Sequence, residues 1–217
     1  MLKQALMATV ITFAAASAQS QTMILSESFD SVAGLGGSGW VQTNLSSPVG
    51  TLSWFQGNSG IFASQTGAPN AYIGANFLSG ADGGALANWL ISPTFSTAAA
   101  GAVTFYARSA GSQGLSDHIA FGLSTGSAST GSFTLGSAVT LGTGWTQYSV
   151  NFAAKGAGSI GRFAIEYVGL VDDSEYIGID TFAVTTFATA PVPEPSTYAL
   201  MALGITGLAM VRRRRST

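Results

Sequence analysis

The stretch Val103-Thr104-Phe105-Tyr106-Ala107-Arg108 decides the fold class of this chain. Its odd-numbered positions are apolar, and its even-numbered positions are polar or carry a polar tip. A period of two residues is typical of a β-strand with one face in a core and the other toward solvent. The pattern therefore predicts one half-buried strand of a β-rich domain.

Similar β-rich stretches lie on both sides of this strand, between glycine- and serine-rich turns. We expect strands at Met23–Phe29, Ala71–Phe77, Asn88–Ser92, Ala102–Ser109, His118–Ser124, Trp145–Phe152, Arg162–Val168 and Tyr176–Thr185. A slip in the alternation near Gln147 indicates a bulge. None of these stretches keeps an apolar period of 3.6 residues over three turns without a glycine. The spacing predicts an all-β fold, a jelly-roll β-sandwich.

Composition supports an ordered domain without covalent cross-links. The 217 residues include 28 glycines and no cysteine, which excludes disulfides and thiolate chemistry. Four tryptophans and 13 phenylalanines spread along the chain, and such anchors are not typical of disordered linkers. We expect long loops around Ala33–Gly39, Gly57–Asn70 and Thr125–Gly136.

The first 18 residues have the layout of a secretory signal peptide. Lys3 precedes an apolar run from Ala5 to Ala16, and Ala16-Ser17-Ala18 is a small-x-small cleavage site. The run is shorter than the roughly 20 residues that a membrane span needs. We predict a signal helix cleaved after Ala18; a buried N-terminal helix is the alternative.

The tail, residues 188–217, has three parts in order. Alternating prolines at 191, 193 and 195 form a stiff segment, an apolar stretch runs from Ser196 to Val211, and four arginines follow. As a helix the apolar stretch would reach about 24 Å, short of a hydrocarbon core of about 30 Å. We predict a single transmembrane helix with a cytoplasmic C-terminus. It is either a processing site or a permanent anchor.

These tail residues resemble the PEP-CTERM sorting signal of Gram-negative bacteria, usually those that make exopolysaccharide. The resemblance rests on Pro193-Glu194-Pro195, on Ser196-Thr197, on the apolar helix and on the arginine cluster of Arg212, Arg213, Arg214 and Arg215. It implies that an exosortase-type membrane enzyme recognises the tail and cuts near Pro-Glu-Pro. The protein is then exported through an inner-membrane intermediate to the cell surface or the medium.

The segment between the two signals, residues 19–187, is called the body, and its charge is acidic. It has three basic residues and nine acidic residues, a net charge of about −6. Binding to nucleic acid needs a cationic surface that displaces counterions from phosphates. The charge excludes nucleic acid as a partner.

A second resemblance covers most of the body. In chain order it rests on Glu27-Ser28-Phe29-Asp30, Asn88-Trp89-Leu90-Ile91-Ser92-Pro93, Asp117-His118-Ile119, Trp145-Thr146-Gln147-Tyr148 and Glu175-Tyr176-Ile177-Gly178-Ile179-Asp180. These stretches resemble the choice-of-anchor J domain, which is similar to cleaved-adhesin and MAM-like jelly rolls. The usual pattern has two acids at the last strand, and this chain has Asp180-Thr181.

The second resemblance implies a structural calcium ion that ties the first strand to the last. The matching positions are Glu27, Asp30 and Asp180, with Asp172 and Asp173 as weaker candidates. Calcium prefers hard oxygen ligands from carboxylates and loop carbonyls, and weak sites are typical of extracellular modules. The alternative is that these acids are surface carboxylates without a metal.

The sequence gives little support for a catalytic function. His118 is the single histidine, cysteine is absent, and no Gly-x-Ser-x-Gly elbow precedes a helix. Asp172, Asp173 and Glu175 lie close enough in sequence for paired-carboxylate hydrolysis, although acids in one loop more often form a solvated turn. We predict no catalytic residues.

The sequence therefore favours a non-enzymatic surface or matrix protein. The first alternative is a module that binds exopolysaccharide, with Trp40, Trp54 and Tyr72 as aromatic glycan contacts beside loops. Core packing is the competing interpretation of each of these rings. The second alternative is a glycan-active hydrolase.

Overall fold

The computed structural model describes residues 20–187 and the helical residues Gly204 and Ile205. The body forms one compact unit that begins at Gln21. The predicted signal peptide, the sorting residues and the rest of the predicted transmembrane helix lie outside the described residues. Across the described residues, no helix has the length and apolar character needed to cross a membrane.

The body is built from strands, joined by loops and four short 3₁₀ helices. The strands are β1 (Gln21–Glu27), β2 (Val41–Asn44), β3 (Ser47–Val49), β4 (Phe55–Gln56), β5 (Ile73–Asn76), β6 (Gly80–Ile91), β7 (Phe95–Ser96), β8 (Gly101–Ser109), β9 (His118–Ser124), β10 (Thr134–Leu135), β11 (Val139–Thr140), β12 (Thr146–Phe152), β13 (Ile160–Leu170) and β14 (Tyr176–Phe187). The 3₁₀ helices are Val32–Ser38, Phe77–Ser79, Thr130–Ser132 and Val171–Asp173.

Two antiparallel sheets pack face to face as a β-sandwich. The first, sheet A, has six strands in the order β12-β8-β14-β5-β4, and β1 also pairs with β14. The second, sheet B, has eight strands in the order β10-β9-β13-β6-β2, with β3, β7 and β11 paired at its margins. Each sheet therefore mixes strands from both halves of the chain, which makes the body one folding unit.

All eight predicted strands are present, and six short ones were missed. The largest difference in length is β6, which starts at Gly80 although Gly80–Gly84 looks like a turn. A Cβ atom added at Gly80 would lie 2.5 Å from Val171 Cγ2, and one at Gly84 would lie 2.8 Å from the Ser47 carbonyl oxygen. These glycines thus allow close packing inside a strand. The bulge predicted near Gln147 is absent, because β12 and β8 pair in continuous register.

Aromatic rings connect the two sheets through the core. Trp40 packs edge-to-face against Phe29 and Phe182, with ring centroids 5.3 Å and 5.0 Å away. The chain of contacts continues from Phe182 to Phe163 at 6.0 Å and from Phe163 to Phe105 at 5.7 Å. Because Phe163 lies on β13 and Phe105 on β8, these rings fill the space between the sheets.

A buried carboxylate links the two sheets through hydrogen bonds. Asp117 is 1% exposed and precedes β9. Its carboxylate accepts hydrogen bonds from the Ser109 hydroxyl at 2.6 Å, the Tyr167 hydroxyl at 2.5 Å and the Glu175 backbone N–H at 2.8 Å. Ser109 belongs to sheet A and Tyr167 to sheet B. The pKa of Tyr167 is raised, first by burial and then by the nearby Asp117 charge.

We predict that Asp117→Ala destabilises the body by about 3 kcal/mol, because two hydroxyls and one N–H lose their buried acceptor. The free energy of unfolding in urea measures this loss. Asp82→Ala is the matched control, since Asp82 is exposed and its carboxylate has no hydrogen bond within the described residues. Equal unfolding free energies for the two variants would contradict the role given to Asp117.

Candidate functional site

Two of the three predicted calcium ligands, Asp30 and Asp180, lie against one loop, and the third, Glu27, lies across from Phe182 on the neighbouring strand β14. Glu27 ends β1, Asp30 follows it, and Asp180 lies in β14. Together with the loop segment 65–67 they are called the carboxylate site. Asp180 is fully buried, Glu27 is half-buried and Asp30 is exposed.

Backbone donors surround the Asp180 carboxylate. It accepts hydrogen bonds from the N–H groups of Gln65 at 2.8 Å, Thr66 at 3.1 Å and Thr181 at 2.6 Å. Burial raises the pKa of Asp180, and these three donors partly offset the shift because they favour the ionised form. Asp180 therefore holds the loop segment 65–66 against β14.

Asp30 borders the same loop from the other side. A Cβ atom added at Gly67 would lie 3.5 Å from Asp30 Oδ1. Asp30 Oδ2 accepts a hydrogen bond from the Ser28 hydroxyl at 2.8 Å, and Glu27 Oε1 accepts one from the Phe29 N–H at 2.9 Å. The fold thus brings Asp30 and Asp180 to one loop.

Two residues with strained backbones adjoin the carboxylate site, one next to Asp30 and one next to Asp180. Phe29 and Thr181 have φ angles of 55° and 49°, and they are the non-glycine residues with positive φ among those described. Such a conformation is an outlier for a bulky or β-branched residue. It costs on the order of 1–2 kcal/mol and is concentrated at functional sites and ligand clamps. The strain makes the carboxylate site a candidate for ligand binding.

The carboxylates of the body do not by themselves supply enough ligands for a metal ion. Within residues 20–187, no three His, Cys, Asp or Glu side chains are grouped so that they could hold a metal ion. The weaker candidate Asp172 instead accepts a hydrogen bond from the Gly83 N–H at 3.1 Å, and Asp173 is exposed. A cation at the carboxylate site would need loop carbonyls to complete its ligands.

The three predicted glycan contacts are buried. Trp40 is 5% exposed, Trp54 is 6% exposed and Tyr72 is fully buried. Trp40 packs in the main core, and the Tyr72 hydroxyl is 3.1 Å from the Tyr176 hydroxyl. A sugar stacks on an accessible ring face, and none of these three buried rings exposes one.

Sequence reasoning missed an aromatic cluster on the outer face of sheet A. The rings of Phe62, Tyr72, Tyr176 and the partly buried Trp145 pack over Gly178. A Cβ atom at Gly178 would lie 2.8 to 2.9 Å from three of these rings, so glycine leaves the space that they fill. The signal in the sequence was a glycine at the centre of an apolar strand.

Arg108 covers this aromatic cluster. Its guanidinium carbon lies 4.1 Å from the Phe62 ring centroid and 5.9 Å from that of Trp145. The Trp145 indole N–H donates to the Ala63 carbonyl at 3.0 Å and fixes the ring. Burial lowers the pKa of Arg108, while burial and the Tyr176 hydroxyl raise the pKa of Tyr72. A cation above aromatic faces is a favourable arrangement.

An open surface overlaps this cluster at Arg108 and Trp145. It is called the sheet-face patch and consists of four side chains: Tyr106, Arg108, Trp145 and Gln147. Tyr106 and Gln147 face each other across β8 and β12. Gln147 is exposed and the other three are half-buried. The patch presents rings and hydrogen-bonding groups side by side.

Comparison with known proteins identifies the tail. Residues 191–215 match the family model of the PEP-CTERM protein-sorting motif. No curated protein matches the chain. The match confirms the sorting motif predicted from Pro193-Glu194-Pro195 and the arginines.

Similar solved structures are cleaved adhesin domains of Lys-gingipain: domains K3 and K1 from Porphyromonas gingivalis W83, and domain K2. Their TM-scores are 0.57, 0.57 and 0.55, each at 18% sequence identity over 76% of this chain. The matches cover 99%, 97% and 97% of those chains. At this identity the likeness shows the fold alone. The chain thus carries a PEP-CTERM sorting motif, and its body has the β-sandwich fold of cleaved adhesin domains.

Proposed function

We propose that this chain is an exported surface or extracellular-matrix protein without enzymatic activity, and that an exosortase-type enzyme sorts and cleaves it. The sorting motif at residues 191–215 carries this proposal. The exported form is the body, a jelly-roll domain of residues 19–187, after removal of the signal peptide 1–18 and cleavage within the tail 188–217. The membrane helix and the four arginines hold the intermediate in the inner membrane.

The positions of the acids support a role without catalysis. Asp172 and Glu175 lie within one short segment that could supply paired carboxylates, but each accepts hydrogen bonds from a different loop. Asp172 accepts from Gly83, whereas Glu175 accepts from the Ser112 N–H at 2.8 Å and from its hydroxyl. Carboxylates that serve as loop anchors are not free to act as acid and base on one substrate.

We expect Glu194→Gln, and separately the replacement of Arg212–Arg215 by glutamine, to leave uncleaved precursor in the membrane, because the enzyme loses its recognition groups. Intact masses of the protein from the envelope and the medium of its host measure the outcome. The wild type should begin near Gln19 and end near the proline segment.

Asp82→Asn is the control, because it removes an acid outside the motif and should be processed normally. Correctly sized, released Glu194→Gln protein would contradict sorting through this motif. Wild-type protein that keeps its apolar segment and arginines would instead be permanently anchored, and the proposed cleavage would be wrong.

Glycan binding is the alternative function, and the sheet-face patch favours it. The patch combines the Trp145 and Tyr106 rings with the Arg108 guanidinium and the Gln147 amide, which suit a hydroxylated ring ligand. It replaces the three buried rings as the surface on which a saccharide would rest. The hydrolase alternative has no comparable support among the described residues.

We predict that Tyr106→Ala weakens binding of the host's exopolysaccharide by about tenfold, equivalent to about 1.4 kcal/mol, because a ring contact is lost. Titration calorimetry measures the affinity. Phe77→Ala is the control, since Phe77 is an aromatic residue 39% exposed outside the patch. Equal affinities for the two variants, or no binding by the wild type, would remove this alternative.

Calcium at the carboxylate site is the structural part of the proposal. Its oxygens are of the kind that calcium prefers, and the strained backbone at Phe29 and Thr181 supports a bound ligand there. Glu27, Asp30 and Asp180 would hold the ion, which would fix the loop 65–67 between the first and last strands. The ion would stabilise the folded body and would take part in no reaction.

Added calcium should raise the melting temperature, and a chelator should lower it, since a ligand of the native state stabilises by about 2.7 kcal/mol at 100 times its Kd. Asp30→Asn should abolish the shift, because exposed Asp30 is available to an ion. Asp82→Asn should keep it. Calorimetric melting curves that stay the same with calcium and with chelator would eliminate the site.

A further inference from the structure

Strand β12 forms an open edge of sheet A. It is the terminal strand of the sheet and pairs with β8 along all seven residues from Thr146 to Phe152. Alternate residues of such a strand point their N–H and C=O groups away from the sheet. Within the described residues, no backbone or side-chain group outside β8 bonds to the backbone of β12. The edge is therefore a template for another strand.

This edge lacks the usual protection. Proteins protect edge strands with charges, prolines, bulges or short length. The sequence of β12, Thr-Gln-Tyr-Ser-Val-Asn-Phe, has no charge, proline or glycine, and its register has no bulge. By contrast β4, β10 and β11 have two residues each, β3 contains a proline, and β1 carries a bulge. The neutral terminal strand of sheet B, β2, has four residues and β7 has two, so β12 is the long neutral edge strand without a bulge among those described.

Apolar side chains beneath this edge are only partly covered. Tyr148 and Val150 point toward the core and are half-buried. Tyr148 stacks on Phe105 with centroids 5.5 Å apart and contacts Phe121, itself half-buried, at 5.6 Å. A strand added outside β12 would extend the sheet over these rings and remove more apolar surface from water.

The order of residues in β12 fits a second copy of the same strand. If two copies run antiparallel about a two-fold axis at Ser149, Tyr148 faces Val150 of the second copy on the inner face. On the outer face, Gln147 faces Asn151 of the second copy, and the two Ser149 side chains face each other. Apolar residues thus meet apolar residues and amides meet amides, without a like-charge pair. Such a self-complementary surface is what a two-fold dimer requires.

We propose that β12 is a self-association edge, through which two copies pair their β12 strands antiparallel and join their six-stranded sheets into one. The occupant of the edge is a second copy of this chain, and backbone hydrogen bonds supply the contact. The proposal is independent of the sorting function, because it rests on the body alone.

Sedimentation analysis of the isolated body, residues 20–187, tests the proposal. This unit contains both sheets and the whole described core, so it can fold alone. We expect a monomer–dimer equilibrium for the wild type. Ser149→Lys should raise the dissociation constant about tenfold or more, because it places two like charges directly opposite each other at the axis.

Thr22→Lys is the matched control. Thr22 is exposed on β1, another edge strand, and its hydroxyl has no hydrogen bond within the described residues. This variant should keep the dissociation constant of the wild type. A wild type that stays monomeric, or a dimer that Ser149→Lys leaves unchanged, would overturn the proposal.

Cross-linking gives a second test that does not depend on the lysine variant folding. The chain has no cysteine, so Ser149→Cys introduces a unique thiol at the axis. A short bis-maleimide should link two Ser149→Cys molecules at least about tenfold faster than two Thr22→Cys molecules, since facing Cβ atoms in paired strands lie about 5 Å apart. Equal rates for the two variants would rule out pairing through β12.

Discussion

The body must bury carboxylates with few cations available to pair with them. It has three basic residues, and one of these, Arg162, donates to the carbonyls of Gly126 and Ser92. A buried ionised group is costly unless donors surround it. Asp117 and Asp180 are therefore satisfied by hydroxyl and backbone N–H groups. This requirement fixes the loops, because each donor must come from a segment held in place.

The loops consequently behave as parts of the fold, despite their glycine content. Asp180 holds the segment 65–66, and Gln56 donates from its side-chain amide to the carbonyls of Phe29 and Asn70. With both ends of the long loop fixed, Phe62 can pack over Gly178 on the outer face of sheet A. The same packing holds Trp145 and Arg108 in position within the sheet-face patch. A structural constraint inside the body thus shapes the surface available for ligands.

The sorting motif and the folded domain lie in separate parts of the chain. The sorting motif occupies residues 191–215, and the sandwich ends at Phe187. The fold itself does not define a ligand, since one sandwich architecture serves many functions. The body contributes three surface features: the carboxylate site, the sheet-face patch and the unprotected edge strand β12.

Local sequence patterns determined eight of the fourteen strands, the acidic body and the sorting motif, because alternation, charge and motif order are readable over a few residues. Five of the six missed strands have two or three residues, which hold no period, and the sixth, β2, has four. Tertiary structure alone decided that Trp40, Trp54 and Tyr72 are buried and that Asp180 bonds to Gln65, 115 positions away. The physical reason is that burial and hydrogen bonding depend on which distant segments pack together, and a local pattern does not encode those contacts.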